Sequence, residues 1–431
     1  MRDSDEVPRV AFGAALRYWA ALGCVNFGGP AGQIAMLHRD LVVRRRWISE
    51  ERFLRALNFC MLLPGPEATE LAIYIGWLLH GPAGGVAAGV LFLLPSVVVL
   101  LGLSWAYAAH GNLPLVAGAL AGLKPVVVAV VAAAVWKIGR RALKRPLDGA
   151  IAAGAFLALT FLHASFPLVI AAAAAAGALR RSERGTPASD PSTGGETAPA
   201  GTLPARRRNI RLLLLFCALW AAPLLLVSAA LGWDGTHARA YRFFSQAAFV
   251  TFGGAYAVLT YVVHAAVGPF HWLSPAQAID GLALAETTPG PLIMVLTFIG
   301  YLAGWQSPGA LSPAASGALA ALLTTWATFL PCFFFILLGA PWIERLRGRP
   351  RLDAALSGIT AAVVGVILNL AVLFASAVLF PRGLAAGPDP FSLALASAAL
   401  AVLLLFDLEA AWVVLAGGTA GLVRAVVLGR V

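Results

Sequence analysis

The chain is written twice. "LRYWAALGCVNFGG" at 16–29 aligns with "YRFFSQAAFVTFGG" at 241–254, and each is trailed by a tryptophan and then a P-G-P. Arg17 to Arg242, Phe27 to Phe252, Trp47 to Trp272 and Pro64 to Pro289 are all separated by 225 positions. Farther on, Pro95 and Gly122 match Pro331 and Gly358 at a shift of 236, the second copy having gained "SPGALSPAASG" at 307–317. Leu162 to Leu179 then matches Phe406 to Val423 at a shift of 244. Whatever one half folds into, the other must fold into as well.

That shared fold has to live in lipid. Of 431 residues, 60% are hydrophobic and 12% charged, and the mean hydropathy is +0.83, outside the range of soluble domains. Runs such as Val86 to Tyr107, Leu113 to Trp136, Leu212 to Leu231, Leu319 to Leu338 and Leu356 to Phe380 exceed the roughly 20 residues a spanning helix needs. They lack the alternation of barrel strands.

Loop charge orients the copies. Residues 38–55 hold six arginines and 137–145 five basic residues, whereas 105–115 hold none. In the second copy the pattern reverses: 263–273 and 276–279 carry no Lys or Arg, and "ERLRGRPR" at 344–351 carries four arginines. By the positive-inside rule the copies face opposite ways. The basic Pro/Gly/Ser/Thr-rich stretch 180–211 reads as a disordered cytoplasmic linker, and the apolar run within 209–233 supplies the single extra crossing that inversion demands. The expected fold is therefore an all-α polytopic membrane protein with two inverted-topology repeats. Residues 1–179 form the first, and 212–431 hold the extra span and the second. In each, the segments around F-G-G and P-G-P form two re-entrant hairpins, followed by two full spans and a helical hairpin.

Inverted repeats with paired helix breaks point to a secondary transporter whose site lies near the bilayer midplane. Broken backbone at that depth is tolerated only beside a cavity or protein. The breaks are at Gly28-Gly29, Pro64-Gly65-Pro66, Gly253-Gly254 and Pro289-Gly290-Pro291. Free N–H groups and the positive dipole end at a helix N-terminus suit an anion. Asn26 and Gln33 beside the first break, and Thr287 and Thr288 before the last, complete the expected substrate site, with close helix packing through Gly28 and Gly32 as the alternative reading. Arg17 and Arg242, at equivalent apolar positions, are either functional or snorkelling to the interface. Lys124 has no basic counterpart, since Thr360 takes its place, and it is a further candidate for attracting an anion. Glu67 and Glu70 after the first P-G-P, and Glu286 before the second, are candidate proton carriers or helix caps.

Other classes fare poorly. The net charge of +11 is spread over loops between spans, which argues against nucleic acid as a partner. Cys24, Cys60, Cys217 and Cys332 lie in apolar segments without C-x-x-C spacing, so neither disulfides nor a metal site is expected. No cofactor fingerprint or catalytic motif is present, and an intramembrane enzyme built on His38, Asn58 and Glu67 ranks low. An anion channel remains a third reading.

The run "FGGPAGQIAMLHRDLVVRRRWISEERFLRALNFCMLLPGPEATELAIYIGW" at 27–77 closely resembles the signature of the chromate transporter family. "FGGAYAVLTYV" and "WLSPAQAIDGLALAETTPGPLIMVLTFIGY", between 252 and 301, resemble its second-half signature. The likeness covers nearly the whole chain outside the linker and matches the long, two-domain form. It implies a multi-pass carrier of the bacterial inner membrane that exports chromate and confers chromate resistance, with sulfate as the competing analogue. Protons or a counter-anion would be the coupling species, and homodimer formation is left open. The second copy departs from the first at Ala255 and Tyr256, where the first has Pro30 and Ala31.

Overall fold

The computed structural model describes residues 10–27, 29–61, 63–111, 113–162, 164–179, 205–250, 255–340, 350–406 and 408–428. Among them the chain is helical, with no strand. The first repeat comprises α1 (Phe12–Val25), α2 (Gly29–His38), α3 (Glu50–Cys60), α4 (Glu67–His110), α5 (Pro114–Ala142), α6 (Pro146–Thr160) and α7 (Phe166–Ala178). The connecting span is α8 (Ala205–Leu231). The second repeat comprises α9 (Thr236–Val250), α10 (Ala255–Val267), α11 (Pro275–Glu286), α12 (Val295–Gln306), α13 (Pro313–Gly339), α14 (Pro350–Leu379), α15 (Pro390–Leu405) and α16 (Ala410–Val427). Six of these, α4, α5, α8, α13, α14 and α16, are long and apolar enough to cross a membrane.

The stretch read as a linker is shorter than expected at its C-terminal end. Residues 180–204 lie outside the described residues, but α8 already begins at Ala205. Alanine and arginine are strong helix formers, and the arginine run that composition assigned to the linker continues the helical span instead.

The helices flanking the breaks are half-helices. α1, α2, α3, α9, α10 and α11 run from 10 to 15 residues, about 15 to 23 Å at the helical rise, short of about 30 Å of hydrocarbon. The chain goes out along α1 and comes back beside it, because the Tyr18 ring in α1 meets Trp47 at 5.3 Å and Arg45 lies over it at 4.8 Å. The second repeat does the same, with Phe244 stacked on Trp272 at 6.2 Å.

α4 is itself folded. His80 (φ −142°, ψ 22°) and Gly81 (φ 65°) leave helical geometry, and the limbs on either side pack against each other. A Cβ on Gly76 would meet the Gly84 carbonyl and the Ala88 methyl at 2.5 Å. This turn also receives the start of α1: the His80 ring bonds the Val10 carbonyl at 2.7 Å and stacks edgewise on Phe12. The α3–P-G-P–first-limb segment is thus a re-entrant hairpin that starts and ends at the arginine-rich side, with its tip inside.

The repeats are not separate bodies. Each lends its terminal hairpin to the other, so that α15 and α16 pack on α5 while α6 and α7 pack on α14. The contact is backbone on backbone. A side chain at Gly122 would strike Gly417 and Gly421, and at the equivalent Gly358 it would strike Ala173 and Gly177. The matched shift of 244 makes these the same residue pairs seen from opposite sides, a pseudo-two-fold relation. Small residues let helices approach in lipid, where there is no hydrophobic force between them and close van der Waals contact must hold them. Gly122→Leu and Gly358→Leu should therefore each cost about 1–3 kcal/mol through overpacking, read as a lowered thermal midpoint of the purified protein in detergent. Gly149→Leu, where an added Cβ meets nothing within 4 Å, should leave the midpoint unchanged.

Candidate functional site

The re-entrant tips of the two repeats meet. α1 ends at Asn26 (φ −86°, ψ 74°), and α2 restarts with Gly29 at φ 64°, a left-handed conformation that glycine adopts without strain. The freed Asn26 carbonyl accepts a hydrogen bond of 2.6 Å from the Gly290 amide, in the second repeat's P-G-P. It also takes one of 3.4 Å from Gln33 Nε2. Gly290 holds φ 120°, and Ser96 Oγ donates to the Pro289 carbonyl beside it. The second P-G-P loop is therefore held in place by the first repeat.

The reciprocal contact is present. Cys332, which the 236 shift pairs with Ser96, lies against the first P-G-P: a Cβ on Gly65 would sit 3.0 Å from its Sγ and 2.5 Å from Glu70 Oε1. Each loop rests on the residue that follows the kink proline of the other repeat, Pro95 or Pro331. A small cavity opens at the first tip, bounded by Gly65, Pro66, Phe244, Ala248, Ile293 and Thr328. It thus draws its walls from both repeats.

Around these tips the chain buries polar groups and leaves them without partners. Asn26 and Gln33 are 1% exposed and Glu70 and Thr69 0%. Neither side-chain atom of Asn26, neither oxygen of Glu70, nor Gln33 Oε1 or Thr69 Oγ1 has a hydrogen-bond partner. Each such group costs about 1–3 kcal/mol unmet, and a cluster of them calls for an occupant. The N-termini of α2 at Gly29 and α4 at Glu67 belong to the same tips, which favours negative charge there. The acids differ among themselves. Glu67 is half-buried in the first turn of α4, where the dipole is favourable. Glu286 ends α11 and accepts a hydrogen bond of 3.3 Å from Tyr256. Glu70 is fully enclosed, and among the described residues no ion pair holds it.

Other expected residues are placed elsewhere. Arg17 sits about 13 Å of helix before Asn26, on the exposed side of α1, with Nε 3.4 Å from the Gly13 carbonyl. Arg242 lies 4.4 Å over the Trp233 ring and donates to the Trp233 carbonyl at 2.9 Å. Neither reaches a tip: a guanidinium on a long stem turns back toward its own helix start, the snorkelling alternative. Thr287 and Thr288 donate to the Leu284 and Ala285 carbonyls at the end of α11, so their hydroxyl protons already terminate a helix. Lys124 is paired with Asp280, Nζ to Oδ2 3.4 Å, rather than standing alone. Pro64, Pro66, Pro289 and Pro291 flank the glycines of the two loops as expected, with Pro64, Pro66 and Pro291 buried. Gly28, Gly253 and Gly254 lie outside the described residues.

Sequence reasoning passed over Ser96, Asp280 and Tyr107, and read Cys332 only as one of four cysteines in apolar segments. Ser96 and Cys332 were available from the 236 shift, and Asp280 from being an acid in the apolar run "AIDGLALA". Because Ser96 and Gly290 act on one loop, Ser96→Ala and Gly290→Ala should each destabilise the protein by about 1–3 kcal/mol. The double variant should cost less than their sum, as followed by thermal unfolding in detergent.

Two stretches of the chain, residues 14–178 and 238–422, match the family model described as chromate transporter. The chromate transport protein of Pseudomonas aeruginosa is 33% identical over 84% of this chain and 80% of its own length. That of Cupriavidus metallidurans is 30% identical over 83% and 81%. The probable chromate transport protein of Synechococcus elongatus is 28% identical over 86% and 88%. No solved structure matches the chain.

Proposed function

This chain belongs to the chromate transporter family, and from that premise we propose that it is a secondary active carrier that exports chromate across a bacterial inner membrane by alternating access. Export of the tetrahedral dianion would give the cell chromate resistance. The observation that carries the reading is the set of enclosed, unpartnered polar groups at the re-entrant tips, Asn26 and Gln33 at the first F-G-G and Thr69 and Glu70 after the first P-G-P. Asn26 and Gln33 supply an amide donor and acceptors beside the N-terminus of α2, a mixture suited to an oxyanion that exchanges water for protein hydrogen bonds.

Glu70 supplies the coupling. A carboxylate and a divalent oxyanion in one enclosed site repel each other strongly at low effective dielectric. A proton on Glu70 removes that repulsion, so cargo and proton occupancy become linked. Glu67, one turn away and less enclosed, is the route by which that proton exchanges with the aqueous side. Exchange against a counter-anion is the other way to close the cycle, and the gradient dependence of transport separates the two.

Inverted membrane vesicles containing the protein should take up chromate saturably, excess sulfate should suppress the uptake, and the rate should respond to an imposed proton gradient. Sulfate flux without chromate flux would keep the site and replace the cargo, and ohmic current without saturation would mean a channel. Glu70→Gln should flatten the pH dependence of uptake and Glu67→Gln should weaken it. Wild-type pH profiles in both variants would remove the carboxylates from the coupling.

A further inference from the structure

A second buried charged cluster lies away from the tips. Asp280, in α11, is 2% exposed. One of its oxygens, Oδ2, is shared by Lys124 Nζ of α5 at 3.4 Å and the Tyr107 hydroxyl of α4 at 2.9 Å. Its other oxygen, Oδ1, is enclosed without a partner. On the remaining side the Tyr107 ring packs edgewise on Phe298 of α12 at 5.1 Å. No other charged or titratable side chain among the described residues is within bonding reach of this carboxylate. Lys124 keeps 28% of its side chain exposed, whereas Asp280 keeps 3%. The cation thus has access that the anion lacks.

The position of the cluster follows from helix lengths. Tyr107 is near the end of α4, whose following loop carries no Lys or Arg and so faces away from the cytoplasm. Lys124 is about 15 Å into α5 from that same loop. Asp280 precedes Glu286, at the second P-G-P, by about 9 Å of α11. The three residues therefore stand between the tips and the outer face, on the way out. They also join α4 and α5 of the first repeat to α11 of the second.

The pair is not repeated in the sequence of the other half. At the mirror positions stand Thr360 and Arg55. Thr360 bonds its own helix at the Leu356 carbonyl, and one contact of Arg55 is with Glu51 one turn back. A buried ion pair is a weak source of stability compared with apolar packing, and ionisable side chains buried within a membrane protein mark the path of its cargo by default.

We propose that Lys124, Asp280 and Tyr107 form the outer gate of the transport path, and that Lys124 is the exit subsite for the oxyanion. With the gate closed, Asp280 occupies the ammonium and α11 is tied to α4 and α5. When α11 moves away, Asp280 meets water and Lys124 presents its charge to the departing anion. The inference rests on the export reading above and adds a second station to it.

The gate makes the two single substitutions act in opposite directions. Asp280→Asn leaves Lys124 permanently available, so the KM for chromate in inverted vesicles should fall and kcat with it, because cargo is held at the exit. Lys124→Met removes the station, and KM should rise about tenfold, as loss of one charge-assisted contact implies. The charge-free double variant Lys124→Met/Asp280→Leu keeps the packing. It should match the wild type in thermal midpoint and elution volume yet retain the raised KM. KM shifts of the same sign in both single variants, or wild-type kinetics in the double variant, would overturn the gate. An absence of chromate flux in the wild-type protein would instead overturn the export reading on which the gate depends.

Discussion

A helix that stops inside a bilayer must find partners for the backbone it releases, and here the partner is the other half of the chain. The hydrogen bond from the Gly290 amide to the Asn26 carbonyl is the clearest instance. One repeat's broken F-G-G end is completed by the other's P-G-P loop. Ser96 and Cys332 extend the same arrangement, each against the loop of the opposite repeat. In hydrocarbon an unmet backbone group costs several kcal/mol, so these contacts decide where a break is permitted. The candidate site is located at the breaks, and the breaks are located where the repeats meet.

The exchange of terminal hairpins sets the geometry around that meeting. α5 and α14 each carry a glycine, Gly122 or Gly358, against which the other repeat's last helix lies backbone to backbone. Such contacts leave no room for adjustment, which makes the pair of long helices a stiff frame. The half-helices α1, α2, α3, α9, α10 and α11 are shorter and hang from it by loops. The alternating access proposed for the chain is more easily located in those hairpins than in the frame. The cavity beside Gly65, walled by α9 and α13 as well as by the loop, lies at that boundary.

Much of this was legible from residue order. The constant offset of 225, the reversed loop charges and the four breaks were enough for inverted repeats with re-entrant tips, because periodicity, charge and helix-breaking chemistry are local properties. What stayed hidden depends on partners far apart in the chain. Lys124 read as a lone cation, since nothing nearby in sequence announces Asp280. Arg17 and Arg242 had two open readings, and only the direction of a flexible stem chooses between them. The turn in α4 was implied by the expected re-entrant hairpin before the span from Val86, but its place was not, because hydropathy does not register that His80 and Gly81 in "WLLHGPAGGV" reverse the chain.

The hairpin exchange also has a consequence for how the protein is made. α6 and α7 leave the ribosome long before α14, the helix they pack on, and α5 precedes both α15 and α16. Asn26 likewise enters the bilayer before Gly290 exists to meet its carbonyl. Through most of synthesis the first repeat therefore sits in lipid with its helix end uncapped and its glycine faces uncovered, contacts of high sequence separation that form late. Its insertion intermediate must be sheltered by water, by the insertion machinery or by another membrane protein until α14, α15 and α16 arrive. The helices that close the structure around the first repeat, α15 and α16, are translated long after it.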